Sequence, residues 1–134
     1  MDPSKLNYLA IVVATLSTFM LGGLWYSPAL FGKIWMRECG LTEEKLKKAN
    51  MAKIYGLAFI LSFIMAFNLA VFLSDSSDIV WGMTAGALAG IGWVAMSFGV
   101  NCLFERKSLA YFLINAGYFS VAFIIMGGIV AVWK

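Results

Sequence analysis

The chain has 134 residues, of which 62% are hydrophobic and only 13% charged, with a mean hydropathy of +0.86. A soluble domain carries about 25% charged and 45 to 50% apolar residues, so a water-soluble fold is excluded, and the lack of histidine removes the commonest metal ligand and the usual base near neutral pH. The net charge of +3 does not point to nucleic acid, because most of the basic residues sit in one segment between apolar runs, where they act as topology signals and attract anionic lipid.

Four stretches are long enough to cross a hydrocarbon core of about 30 Å, which takes roughly 20 helical residues. They are 7–26, 54–73, 79–103 and 109–133. Lipid cannot satisfy backbone amides, so each is expected as an α-helix, and residues 1–134 read as one all-α, four-helix transmembrane domain. The first run follows only Asp2 and Lys5. It is too long for a signal-peptide core and no small-residue cleavage site follows it, so it is expected to remain as an anchor.

Residues 27–53 read as a cytoplasmic amphipathic loop. Ser27 is a suitable N-cap and Pro28 suits the first helical position, so a short interfacial helix is expected to start there. Its Leu30, Phe31, Ile34 and Trp35 face the membrane interface, with Lys33 and Arg37 toward headgroups. Gly40 allows a stop, Thr42 caps again, and Glu43 and Glu44 occupy a dipole-favoured first turn. From Glu43 the helix is expected to run unbroken into the second span.

Orientation follows from the loop cations. Lys33, Arg37, Lys45, Lys47, Lys48 and Lys53 lie in the first connection and Arg106 and Lys107 in the third; Lys5 and Lys134 stand alone at the ends, and the second connection has none. Both termini are therefore expected on the outer side. Tyr8, Trp81 and Trp133 then fall at the outer interface, and Trp25, Tyr26, Trp35, Tyr55 and Tyr111 at or near the inner one. Cys39 and Cys102 lie near the reducing cytoplasmic face and are not expected to form a disulfide.

Gly82, Gly86 and Gly90, with Ala85 and Ala89 beside them, let helix backbones approach closely. The partner is either another helix of the chain or a second copy. Two tandem helix-pair repeats are also suggested: Gly22-Gly23-Leu24-Trp25 is echoed by Gly90-Ile91-Gly92-Trp93, and Tyr55 with Ala58-Phe59-Ile60 by Tyr118 with Ala122-Phe123-Ile124.

No Asp, Glu, Lys or Arg lies at mid-depth, which disfavours a proton-coupled pump. Neutral polar residues align at helical spacing: Thr15, Thr18, Gly22 and Trp25 in the first span, Tyr55 and Ser62 in the second, Trp93, Ser97 and Asn101 continuing the glycine face of the third, and Tyr111, Asn115 and Tyr118 in the fourth. With Tyr26 these form a candidate ligand cavity or pore lining. The alternative is that they hydrogen-bond within and between helices, worth about 0.6 to 2 kcal/mol each. Glu105 and Glu38 adjoin cations, and Cys39 lacks a histidine. No nucleophile–base pair, metal cluster or phosphate-binding loop can be assembled, so no enzyme, cofactor or metal is expected.

The block Gly22-Gly23-Leu24-Trp25-Tyr26-Ser27-Pro28, then Leu30-Phe31-Gly32-Lys33 and Trp35-Met36, resembles the signature of a bacterial membrane family called domain of unknown function 1761. The resemblance continues through Gly40-Leu41-Thr42, Phe104-Glu105-Arg106 and Ile114-Asn115-Ala116-Gly117-Tyr118. It implies a small multi-span protein of the bacterial cytoplasmic membrane and no activity or catalytic residue.

The expected function is a non-enzymatic, homo-oligomeric membrane protein, with a dimer favoured, that binds a lipid, another apolar ligand or a protein partner, and no nucleic acid. The alternative is a passive channel or facilitator for a small solute or ion, lined by Thr15, Thr18, Ser97, Asn101 and Asn115.

Overall fold

The computed structural model describes residues 3–134, and those residues are helical with short connections. A short 3₁₀ turn, Pro3–Lys5, precedes α1, Tyr8–Trp25; α2, Gly32–Cys39, and α3, Glu43–Lys48, lie in the first connection. The other long helices are α4, Met51–Phe72, α5, Ile79–Phe104, and α6, Leu109–Val132. With α1, these are four helices long and apolar enough to cross a membrane, and the protein is a multi-pass membrane protein.

Each long helix starts at a side-chain cap that accepts from one of its otherwise unpaired backbone N–H groups. Asn7 accepts from Ala10 N, Asn50 from Lys53 N, Asp78 from Val80 N and Ser108 from Tyr111 N, at 2.9–3.2 Å. Asn50 also overturns one expectation. The helix from Glu43 does not run into the second span: it stops at Lys48, Ala49 and Asn50 are extended, and Asn50 caps α4 anew. The asparagine amide offers the backbone a local partner that competes with continued helix.

The turn after α1 is a second correction. Ser27 does not cap a helix at Pro28; its hydroxyl donates back to Leu24 O at 2.7 Å. Residues 26–31 form a tight reversal in which Ser27 O accepts from both Leu30 N and Gly32 N, and Phe31 N donates to Trp25 O. The helix begins only at Gly32, where a Cβ would lie 2.2 Å from Tyr26 O. Only glycine tolerates so close an approach of backbone to backbone.

Lys5, Leu6, Asn7, Ser74, Asp75, Trp133 and Lys134 meet at one end of the bundle, where the Lys134 ammonium donates to Leu73 O. At the other end, which carries most of the cations, Ser108 donates to Glu38 at 2.7 Å and ties α6 to α2. The α6 helix is the central one: half of its most apolar stretch is buried, against about a sixth for α4 and α5. Around it, Ile11 and Ala14 of α1, Ala66, Leu69 and Ala70 of α4, and Phe123, Met126 and Val130 of α6 form the main apolar cluster.

The glycine stripe packs within the chain. A Cβ on Gly82 would lie 2.4 Å from Ala131 Cβ and 2.5 Å from Gly127 O; one on Gly86 would lie 2.1 Å from Phe123 O; one on Gly90 would lie 2.8 Å from Phe123 Cβ. Gly127 answers from α6, where a Cβ would lie 2.2 Å from Gly82 O. Dispersion and weak Cα–H···O contacts at this range replace the hydrophobic drive that lipid withholds.

The expected continuation of that stripe through Trp93, Ser97 and Asn101 is corrected. Residues Gly90–Ala95 form a π-helical segment, which adds about one residue to the turn. Beyond it the inward register slips by one position. Ala95 and Cys102 are buried, and Phe98 stacks on Tyr111 and Phe112 with ring centroids 5.8 and 6.5 Å apart. Trp93, Ser97 and Asn101 are turned to the exposed surface.

Candidate functional site

Nine of the candidate lining residues divide between two places. Six of them, Thr15, Thr18, Trp25, Tyr26, Asn115 and Tyr118, lie between α1, the turn after it, and α6. Trp93, Ser97 and Asn101 lie on the exposed surface of α5 and do not join them.

The first group is tightly hydrogen-bonded. Trp25 Nε1 donates to Ile114 O at 2.9 Å, Tyr26 Oη donates to Asn115 Oδ1 at 2.6 Å, and Asn115 Nδ2 donates to Tyr111 O at 2.9 Å. Tyr118 Oη donates to Thr18 O at 2.8 Å. Thr15 and Thr18 give their hydroxyl protons to Ile11 O and Thr15 O within their own helix. The rings close over these bonds: Tyr26 lies 5.4 Å from Tyr118 and 5.3 Å from Trp35, and Trp25 lies 5.0 Å from Phe31.

Two blocks 89 residues apart in sequence therefore meet. The segment from Gly22 to Trp35 latches onto Ile114-Asn115-Ala116-Gly117-Tyr118, and Gly117 leaves the space that Trp25 fills, since a Cβ there would lie 3.1 Å from the indole. Of the interfacial residues, Phe31 and Trp35 pack on this latch, Ser27 belongs to the turn, and Pro28 and Lys33 are exposed. The donors and acceptors satisfy one another, as a buried polar cluster in lipid must. The polar lining required of a passive path is not assembled here: Thr15, Thr18 and Asn115 are committed to partners within the chain, and Ser97 and Asn101 face elsewhere.

A groove of about 700 Å³ lies between α4 and α5. Met65, Leu69 and Phe72 form one wall, Trp81, Leu88 and Gly92 the other, Ala85 and Phe123 the floor, and Trp93 stands at its far end. One polar side chain enters it, Asn68 of α4, which is exposed and has no hydrogen-bond partner among the described residues. Sequence reasoning passed over Asn68. The available signal was an amide alone in an apolar span, at helical spacing from Met65 and Phe72. From Trp81 to Trp93 the groove follows α5 for about 18 Å at 1.5 Å per residue.

Neither a curated protein nor a solved structure matches the chain significantly. The family model described as protein of unknown function (DUF1761) matches residues 9–131, a span that takes in both halves of the aromatic–asparagine latch and both walls of the groove. The chain belongs to the DUF1761 family.

Proposed function

We propose that the protein is a non-enzymatic binder of a single-chain segment of lipid, held in the α4–α5 groove with Asn68 meeting a carbonyl or hydroxyl of the ligand. The observation that carries this reading is the unpaired Asn68 amide in an otherwise apolar groove. An unsatisfied amide in hydrocarbon costs several kcal/mol, and a ligand oxygen offsets that cost where the chain itself supplies none. The groove volume of about 700 Å³ lies within the range of about 300 to 1,000 Å³ usual for small-molecule sites. Its length of about 18 Å matches one leaflet of a hydrocarbon core of about 30 Å. Asn68 lies four residues before the end of α4 at Phe72, about 6 Å from it along the axis, close to where a lipid's ester or alcohol oxygens sit.

The cation distribution supports an orientation in the bacterial cytoplasmic membrane with both termini outside, which opens the groove to the outer leaflet. The test is native mass spectrometry of protein released from its membrane in mild detergent, combined with a diazirine-bearing phospholipid probe. A retained lipid mass and probe adducts on α4 and α5 are expected, with both lost in Asn68→Leu and in Gly92→Phe, which fills the groove from a position with open space around it. Equal adducts in all three proteins, or none in the unaltered one, would overturn the reading.

A further inference from the structure

A pocket of about 130 Å³ lies where α1 begins and α4 and α6 end, at the end of the bundle away from the basic connections. Apolar side chains of α1, α4 and α6 line one part of it, and Lys5, Asn7, Ser74, Asp75 and Lys134 supply its polar groups. It shares no residue with the α4–α5 groove. The Ser74 hydroxyl is the one buried side-chain oxygen or nitrogen left without a hydrogen-bond partner among the described residues. Buried polar groups are paired as a rule, so this exception points to a bond completed from outside the chain. Around it the spare capacity is mostly for donation. Lys134 gives one ammonium proton to Leu73 O and keeps two. Asn7 spends its carbonyl oxygen on the cap at Ala10 N and keeps its amide N–H₂. Neither lysine forms an ion pair among the described residues, and Asp75 is the one acidic side chain in the lining.

We propose that this pocket binds a phosphodiester anion, with its charged oxygens between the Lys5 and Lys134 ammonium groups and one of them accepting from the Ser74 hydroxyl. Charge-assisted bonds of this kind are the strong ones. Two ammonium groups against one carboxylate suit a single negative charge, and Asp75 repels a second. A phosphodiester carries one charge at neutral pH, whereas a phosphate monoester carries about 1.5 to 2. The position fits the same chemistry. Helices of 18 to 24 residues reach across the hydrocarbon core, so the pocket at their ends lies at headgroup level, where tryptophans such as Trp133 also gather. The phosphodiester can therefore come from a phospholipid headgroup or from the aqueous side. The site does not depend on a lipid tail in the α4–α5 groove.

The test uses the full chain in dodecyl maltoside micelles, titrated with dioleoyl phosphatidylglycerol and, separately, with dioleoylglycerol, which has the same tails and no phosphodiester. Native mass spectrometry reads the bound lipid. Phosphatidylglycerol is expected to bind about tenfold tighter. That preference is expected to fall to about twofold or less in Lys5→Ala and in Ser74→Ala, and to survive in Lys5→Arg. It should be unchanged in Lys47→Ala with Lys48→Ala, which removes charge only from the basic end, and in Asn68→Leu, whose effect falls on both lipids alike. Ser74→Ala also separates ligation from folding: without lipid it should unfold at the same temperature as the unaltered protein or higher, because it removes an unpaired hydroxyl. Soluble glycerophosphoglycerol identifies the source. Its binding, lost in the same variants, assigns a phosphodiester from the aqueous side, and binding of the lipid alone assigns a headgroup. No preference for phosphatidylglycerol, an equal preference in Lys5→Ala and Ser74→Ala, or a preference lost with Lys47 and Lys48 would overturn the proposal.

Discussion

Adding one methyl group at Gly86 is the most direct test of how the bundle is held together. In Gly86→Ala the new Cβ would lie 2.1 Å from Phe123 O, 2.7 Å from Phe123 C and 3.0 Å from Ile124 Cα, all backbone atoms of a central helix that cannot swing away like the end of a side chain. To bring the closest contact to the 3.0 Å that real Cβ atoms respect, α5 and α6 must part locally by about 0.9 Å. A gap of 0.5 to 1 Å forfeits about a quarter to a half of each dispersion contact across it. Ala85, Phe123 and Met126, buried beside the contact, stand to lose part of their packing. Spread over one or two buried side chains, the loss comes to about 2 to 3 kcal/mol, at the upper end of ordinary overpacking. Gly92→Ala is the matched control, with nothing within 4 Å of its Cβ; it should be neutral or slightly stabilising through helix propensity. Reversible unfolding in mixed micelles by titration with sodium dodecyl sulfate, followed by tryptophan fluorescence, gives both free energies. If the two alanine variants unfold at the same detergent fraction as the unaltered protein, the close α5–α6 contact is not what stabilises the bundle and the reasoning fails.

Further outcomes follow from the latch and the basic end. Tyr26→Phe and Asn115→Ala each break the 2.6 Å bond between α1's turn and α6, and a double-mutant cycle should return a coupling of about 1 kcal/mol; strictly additive losses would show that the bond does not hold the two blocks together. Burial, reinforced by Glu38 and opposed by Lys107, raises the Cys39 pKa, so the thiol stays protonated at neutral pH. Its maleimide labelling should be slow at pH 7 and rise above pH ~8.5, the ordinary thiol pKa. Glu38→Gln should speed it by lowering the pKa and Lys107→Ala should slow it by raising the pKa, with the reverse order contradicting the assignment. A membrane-impermeant maleimide should reach Cys39 in inverted vesicles and not in intact cells; labelling in intact cells would reverse the proposed orientation.

The legible parts of this protein are those that lipid dictates residue by residue. The four long helices start and stop within a few residues of where hydropathy places them, because hydrocarbon leaves the backbone no solution but helix. The Gly82-Gly86-Gly90 stripe announces a close contact for the same reason: only small residues let helices touch there. The latch was half visible, since Trp25, Tyr26, Asn115 and Tyr118 were recognisable as polar-aromatic residues in need of partners, but their mutual bonding was not.

Tertiary structure decided what faces what. It placed the partner of the glycine stripe in α6 of the same chain, where Gly127 and Phe123 present bare backbone. It also turned Trp93, Ser97 and Asn101 away from that interface through the π-helical segment at Gly90–Ala95. Hydropathy does not register that segment, because a π turn adds one residue without changing composition, yet one residue rotates every side chain beyond it by about 100°. The breaks at Asn50 and at the turn to Gly32 have a similar origin: a local hydrogen bond or a backbone contact competes with helix propagation over one or two positions. Composition and period determined that four helices form and how long they are; single-residue register, set by packing against α6, determined which residues are latched, which line the groove and which are left on the exposed surface.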